Sequence, residues 1–248
     1  MESIGDLRLK KTHLILFLAI LLAGAALRFY GAGRPLLWIV EITVAQFGSP
    51  DRTAAQIVGE IFEAAFKGTT GQHMPFQYVW ANLALRLYRA LGVTPAEYGM
   101  RLPFALLGIA SLPLFGWMAA RYYNRAVGLW MMALGAISFF HVYQSRDATS
   151  YAPLLFCIAL HLCGVTGMLR ARERGRPLVW GNMALGLLGA LGAFFSHMSA
   201  WLLLGSEGLV LGVAWLSAAS AGPDCAALPL AATALLRAWI TLVSVSCS

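Results

Sequence analysis

Residues 74–92 read MPFQYVWANLALRLYRALG, and whether this segment crosses a membrane decides the fold. It is long enough to span, because a transmembrane helix needs about 20 mostly apolar residues. Asn82, Arg86 and Arg89 are spaced i, i+4 and i+7, so they share one helix face. In a spanning helix Arg86 would lie near mid-bilayer, at a cost of roughly 2.5–3.5 kcal/mol. The pattern therefore predicts an amphipathic helix in the membrane interface. Its apolar side would carry Tyr78, Trp80 and Leu83.

The composition indicates an integral membrane protein. The 248 residues are 59% hydrophobic and only 12% charged, whereas about a quarter of an average soluble chain is charged. So few charges cannot cover the surface of a soluble fold of this size. The net charge of +7 does not point to nucleic acid, because the basic residues lie mainly between apolar runs, where they orient membrane spans.

Several other apolar runs are long enough to be spans. They are residues 12–29, 101–120, 126–143, 152–169, 178–196, 199–217 and, more weakly, 226–246. If residues 74–92 do not span, the basic segments 121–125 and 170–176 lie on the same side as the basic N-terminus, as the positive-inside rule requires. We therefore predict an all-α bundle of about six to seven transmembrane helices, with a cytoplasmic N-terminus and a long external first loop, residues 30–100.

The external loop is predicted to contain two helices beside the membrane. The first would run through RTAAQIVGEIFEAAF, with Asp51 as its N-cap. The second would follow Pro75, after the turn-rich break KGTTGQHMP. Residues 1–217 would form one transmembrane module. Residues 218–248 change in character, being rich in small residues and holding two of the four cysteines, and we expect a truncated or frame-altered end there.

Polar residues that are costly in a membrane gather on the predicted external side. They are Arg28, Arg34, Glu41, Glu60, Glu63, His73, Arg101, Arg146, Asp147 and His197. Acids beside apolar helices suit a site that handles the polar head of a lipid-linked substrate. Structural roles remain open for the candidates: Glu41 can pair with a helix N-terminus, Asp147 can cap a helix or pair with Arg101 or Arg146, and Arg101 can anchor a helix end. His73 and His197 can end a turn or a helix, and His141 and His161 should bond to neighbouring helices.

Four blocks in the chain resemble the GT-C membrane glycosyltransferases, in particular the dolichyl-phosphate-mannose–protein mannosyltransferase group (glycosyltransferase family 39 type). LRFYGAGRPLLWIVEI is similar to the family's R…LW-x-D-E after the first helix, and GQHMPFQYVW is similar to its H-P-P-L-Y-Y. MRLPFALLG, followed by SRDATSYA, looks like R-L-P-S-A-L-x-G followed by S-R-E-A-R-x-Y-A. FFSHMSAWLLLG is similar to the T-H-Y segment. The blocks occur in the family's order and cover roughly residues 12–215.

The resemblance implies transfer of a sugar from a polyprenyl-phosphate carrier to an acceptor hydroxyl on the non-cytoplasmic face, with inversion. The expected location is a bacterial cytoplasmic (inner) membrane, and the expected partners are the lipid-linked donor, membrane lipid and an unidentified acceptor. Glu41 and Asp147 would be catalytic, and a divalent metal ion on these two acids is the cofactor left open. Substrate-binding roles would fall on His73, Arg101, Arg146, Tyr151 and His197.

The chain departs from the family pattern at one decisive position. Val40 stands where the family has its catalytic aspartate, and valine cannot accept a proton. A catalytically inactive, truncated family member is therefore an alternative to the enzyme. A transporter subunit is a further alternative, but its spans should carry paired internal charges and mirrored broken helices.

Overall fold

The computed structural model describes residues 11–33, 36–68, 74–94, 97–175, 177 and 179–220. Within these ranges the chain forms ten helices and no strand, which confirms the predicted all-α class. The helices are α1 (Lys11–Phe29), α2 (Ile39–Phe47), α3 (Ala54–Phe66), α4 (Pro75–Ala90), α5 (Glu97–Tyr122), α6 (Arg125–Ile137), α7 (Phe139–Arg146), α8 (Tyr151–Glu173), α9 (Trp180–Phe194) and α10 (Ser199–Ser220).

Three helices are long and apolar enough to cross a bilayer. They are Thr12–Phe29 in α1, Glu97–Tyr122, and Tyr151–Ala171 in α8. Helices α6 and α7 pass the same test together, as a span bent by 59°. Two predicted spans correspond to shorter apolar helices, Trp180–Phe194 and Ser199–Val210. The described helices thus supply three spans, or four with the bent pair, against the six to seven predicted. The run 226–246 lies outside the described residues.

Helix α8 lies at the centre of the bundle, with 78% of its apolar span buried. Its contact with α9 depends on glycines. A Cβ added to Gly164 would lie 2.2 Å from the backbone nitrogen of Gly186, and one added to Gly189 would lie 2.3 Å from a backbone nitrogen of α8. Such close approach of backbones is typical of membrane helix pairs. The thiols of Cys157 and Cys163, both on α8, are also buried.

The loop predicted over residues 30–100 contains three short helices, α2, α3 and α4, rather than the two predicted. The prediction that Asp51 caps α3 is wrong, because the cap must directly precede the first helical residue, Ala54. Thr53 holds that position. Its Oγ1 accepts a hydrogen bond from the Gln56 N–H (3.2 Å), and the Gln56 Oε1 accepts one from the Thr53 N–H (2.8 Å). This reciprocal pairing satisfies two backbone donors at the start of α3. Asp51 instead forms an ion pair with Arg89.

Helix α4 has 16 residues and is not among the candidate spans, in agreement with the prediction for residues 74–92. Its polar face packs on the turn between α2 and α3, where the Asn82 amide donates to the carbonyls of Ser49 (2.6 Å) and Arg52 (3.0 Å). Tyr78, which was expected to face lipid, is fully buried in the protein against Phe47. The opposite side of α4 leaves Leu83, Leu87 and Leu91 exposed.

Helix α4 is also fixed to the start of α5. Pro103 lies inside α5 and has no N–H for the carbonyl of Gly99, four residues earlier. The Tyr88 hydroxyl donates to that carbonyl at 3.0 Å, and the Trp80 Nε1 donates to the Pro103 carbonyl at 3.2 Å. Helix α4 is therefore held against the end of the bundle where α5 begins.

Candidate functional site

A buried ion pair between Glu41 and Arg101 joins helix α2 to the bundle. Glu41 lies in the first turn of α2 and is fully buried; Arg101, in the first turns of α5, is 4% exposed. The Arg101 Nε donates to Glu41 Oε1 at 2.8 Å, and its Nη2 donates to Oε2 at 2.5 Å. Arg101 also donates to the backbone carbonyls of Ala32 (2.7 Å) and Leu36 (3.1 Å). One guanidinium therefore holds the α1–α2 connection, α2 and α5 together.

The Glu41 carboxylate also accepts two backbone hydrogen bonds. Its Oε1 accepts from the Ala148 N–H (2.9 Å) and its Oε2 from the Trp38 N–H (3.3 Å). A carboxylate has about four lone-pair positions, and with the two Arg101 contacts each oxygen of Glu41 has two donors. Glu41 has no lone pair left to take a proton from a substrate. Its bond to Ala148 fixes the α7–α8 connection instead.

Asp147 lies directly before Ala148 in that connection. Burial raises the pKa of its carboxyl to about 6, and the negative charge of Glu41 acts in the same direction, whereas Arg101 and Arg146 lower the pKa. A carboxyl that titrates near neutrality can accept a proton and release it again at physiological pH. Asp147 therefore has the protonation behaviour that a general base needs.

Two further predicted residues contact each other. The rings of Tyr151, at the start of α8, and His197, before α10, lie 5.0 Å apart with 30° between their planes. The Nδ1 of His197 bonds to the Ser199 hydroxyl at 2.9 Å, and burial lowers the pKa of the imidazole. His197 is therefore neutral near pH 7 and presents a flat, half-buried surface together with Tyr151.

Two buried polar atoms, one on α4 and one on the α7–α8 connection, have no hydrogen-bond partner. They are the Oε1 of Gln77, in the first turn of α4, and the Oγ1 of Thr149, two residues after Asp147. Gln77 is 3% exposed and Thr149 4% exposed. Buried polar atoms are nearly always bonded, so each of these two atoms is an exception to the usual pattern. Neither residue was predicted from the sequence.

A second polar network occupies the bend between α6 and α7. Arg28 is fully buried, and its guanidinium donates to the carbonyls of Gly135 (3.1 Å) and Ala136 (3.2 Å) in the last turn of α6. It also lies 2.8 Å from His141 Nδ1, while His141 Nε2 lies 3.1 Å from the Ser111 hydroxyl. A helix end leaves carbonyls without partners, and a cation there is favourable. Arg28 thus stabilises the bend.

The third buried polar pair is His161 with Glu207, inside the bundle. His161 Nε2 lies 2.6 Å from Glu207 Oε2, and His161 Nδ1 lies 2.8 Å from the Gly186 carbonyl. The predicted bonds of His141 and His161 to neighbouring helices are thereby confirmed. Glu207 was missed, although a lone acid within the apolar run 199–217 was the signal that could have identified it.

The predicted site residues fall into two described groups. Glu41, Arg101, Arg146 and Asp147 cluster around the α7–α8 connection, and Tyr151 pairs with His197. His73 lies outside the described residues. No group of three or more His, Cys, Asp or Glu side chains that could hold a metal ion occurs in the part of the chain that the structure describes. Since Glu41 is already saturated by four donors, Glu41 and Asp147 do not fit a divalent ion held between them.

Comparison with known proteins adds no relative: the chain matches no protein-family model, no curated protein and no solved structure.

Proposed function

We propose that this chain is a membrane glycosyltransferase of the GT-C type that transfers a sugar from a polyprenyl-phosphate carrier to an acceptor hydroxyl. In this proposal the bundle has six to seven spans, and the shorter helices α9 and α10 are among them. The bundle lies in a bacterial cytoplasmic membrane, with loop 30–100 on the outside. The observation that carries it is the half-buried carboxyl of Asp147, whose pKa is raised to about 6, beside Arg146 at the end of apolar helices.

In the proposed reaction Asp147 is the general base. It takes the proton of the acceptor hydroxyl as the acceptor oxygen forms a bond to the anomeric carbon. The bond from that carbon to the carrier's phosphate oxygen breaks, and the electron pair leaves with the lipid phosphate. Arg146 stabilises the negative charge that develops there; no hydrogen bond or ion pair within the described residues occupies its guanidinium. Displacement from the opposite face inverts the anomeric centre.

Glu41 and Arg101 act as positioning residues in this proposal. Arg101 satisfies the charge of Glu41, and Glu41 in turn holds the Ala148 N–H, so the adjacent Asp147 stays in place. Holding a reactive group in one geometry removes much of the entropic barrier to reaction. Tyr151 and His197 provide an aromatic surface on which a sugar ring can stack, and the neutral His197 adds no charge to it.

A non-catalytic protein that binds the lipid carrier is the second candidate. Val40 favours it, because the position lacks a carboxylate, and the adjacent Glu41 is fully occupied and cannot replace it. The two candidates differ in one measurable respect: both bind the carrier, and only the enzyme releases the lipid phosphate.

The test is transfer of label from polyprenyl-phosphate sugars in membranes that contain the chain. We expect turnover by the wild type, with a rate that rises with pH through about 6 as Asp147 loses its proton. Asp147→Asn should lower the rate by 10²–10⁴-fold. Asp51→Asn is the matched control, because Asp51 is an exposed acid paired with Arg89 and should be dispensable.

Val40→Asp separates the two candidates. If the wild type binds carrier without turnover and Val40→Asp transfers sugar, the second candidate is correct and the site is confirmed. If neither protein binds the carrier or transfers sugar, while both are folded, the glycosyltransferase proposal is wrong.

A further inference from the structure

The far end of helix α5 carries a group of arginines that the proposed function does not use. Arg121 follows Arg101 by twenty residues on the same helix, which is about 30 Å at 1.5 Å per residue. This distance equals the thickness of the hydrocarbon core of a bilayer. If Arg101 lies at one membrane surface, Arg121 lies at the depth of the opposite headgroups. Arg170 and Arg174, at the end of α8, lie beside it.

Two of these guanidinium groups lie over aromatic rings. The Arg121 guanidinium carbon is 4.3 Å from the centre of the Trp117 ring, and that of Arg170 is 5.8 Å from the centre of the Tyr122 ring. Arg170 also donates to the Tyr122 backbone carbonyl, which is near the end of α5. Tryptophan and tyrosine favour the membrane interface, and cation–π contacts hold the arginine planes in place. Arg121 is therefore held by a residue of its own helix, and Arg170 of α8 is held by the end of α5.

The arginines of this group form no ion pair within the described residues. Arg121 is repelled by both Arg170 and Arg174. Three neighbouring cations without a paired acid make a position at which an anion is favourable.

We propose that Arg121, Arg170 and Arg174 bind the phosphate of an anionic phospholipid headgroup. Guanidinium groups present paired N–H donors that match phosphate oxygens, and basic pockets between helices at headgroup depth bind anionic lipids. An exposed apolar surface for acyl chains occurs on the next helix along the chain, since Trp130 and Leu134 on α6 are 69% and 51% exposed. The site is distinct from the Asp147 cluster, and its occupant is a structural or regulatory lipid.

The experiment measures the selectivity of bound lipid by native mass spectrometry, with the full chain purified in detergent and mixed with equal amounts of phosphatidylglycerol and phosphatidylcholine. We expect the wild type to retain phosphatidylglycerol preferentially. We expect Arg121→Gln and Arg174→Gln each to lower this preference about fivefold, because one arginine contributes about 1 kcal/mol to the binding of an anionic lipid. Arg174 is an exposed residue, so its replacement should not disturb the fold. Arg121→Lys keeps the charge but not the paired donors and should show a smaller loss.

Arg52→Gln is the matched control. The Arg52 guanidinium also lies over an aromatic ring, at 5.4 Å from the centre of Phe47, but it is neutralised by Glu60 at 2.7 Å. This variant should keep the wild-type preference. The proposal is overturned if the wild type shows no preference for phosphatidylglycerol, or if Arg52→Gln loses as much of that preference as Arg174→Gln does. It is also overturned if millimolar inorganic phosphate displaces the lipid, because that result identifies a free-phosphate site. Circular dichroism confirms that each variant is folded.

Discussion

Replacement of Glu41 by glutamine tests whether the buried ion pair holds helix α2 on the bundle. Glutamine keeps one oxygen, which can still accept from Arg101 Nε and from the Ala148 N–H. Its amide nitrogen, however, would face the Arg101 Nη2 and the Trp38 N–H, so donors would meet donors. The change also leaves the Arg101 charge buried without a counter-charge. Removal of one partner of a buried pair costs about 3–5 kcal/mol.

This cost predicts a large thermal effect. At about 2–4 °C per kcal/mol for a chain of this length, Glu41→Gln should lower the Tm by about 6–12 °C at the lower bound of the cost. The assay is thermal unfolding in detergent, followed by near-UV circular dichroism. Glu63→Gln is the control, because it makes the same chemical change in the exposed pair of Glu63 with Lys67, where the effect should stay within about 1 kcal/mol.

A double variant measures the interaction energy between Glu41 and Arg101 separately from the other contacts of each residue. Arg101→Met alone leaves Glu41 charged and buried, and it also frees the carbonyls of Ala32 and Leu36. The double variant Glu41→Gln/Arg101→Met should lose less free energy of unfolding than the sum of the two single losses, by at least about 1 kcal/mol. Equal Tm values for Glu41→Gln and Glu63→Gln, or strict additivity in the double variant, would refute the reasoning.

Three more changes follow from the structure. Because the pKa of Asp147 is raised, the folded protein holds a proton between about pH 4 and 6 that the unfolded chain releases. The free energy of unfolding therefore falls as pH rises through this window. Asp147→Asn should leave the Tm unchanged at about pH 4 and raise it at about pH 7. Glu207→Ala leaves His161 Nε2 buried without a partner and should cost about 1–3 kcal/mol in thermal unfolding, whereas Glu207→Gln keeps a hydrogen bond and should cost less. Thr53→Ala removes the cap of α3 and should cost about 1 kcal/mol, which is measurable as faster amide hydrogen exchange in that helix.

The helical class and the non-spanning helix α4 could be predicted from the sequence because each depends on a local pattern. Apolar length identified α1, α5 and α8, and the spacing of Asn82, Arg86 and Arg89 excluded a span. The bend between α6 and α7 was not predictable in this way. Within the run 126–143 Ser138 caps α7 by accepting a hydrogen bond from the His141 N–H, and Arg28, which is more than a hundred residues away, takes the last carbonyls of α6. Sequence periodicity carries no information about such a contact.

The site shows the same division between local and distant causes. The sequence identified Glu41, Arg101, Arg146 and Asp147 as costly polar residues, and the fold brings them together. It could not assign their roles, because the role of a carboxylate depends on how many donors reach it. Glu41 receives four donors from three separate parts of the chain, whereas Asp147 shares its surroundings with two arginines and keeps a raised pKa.

Helix α7 connects the two buried arginines to the proposed base. It has eight residues and is about 12 Å long, too short to hold its own orientation in the bundle. Arg28 fixes its first turn through His141, and Glu41, neutralised by Arg101, fixes the connection after its last turn through Ala148. Asp147 lies between these two points of attachment. The position of the Asp147 carboxyl is therefore set from both ends of α7, by Arg28 through His141 and by the Glu41 carboxylate through Ala148.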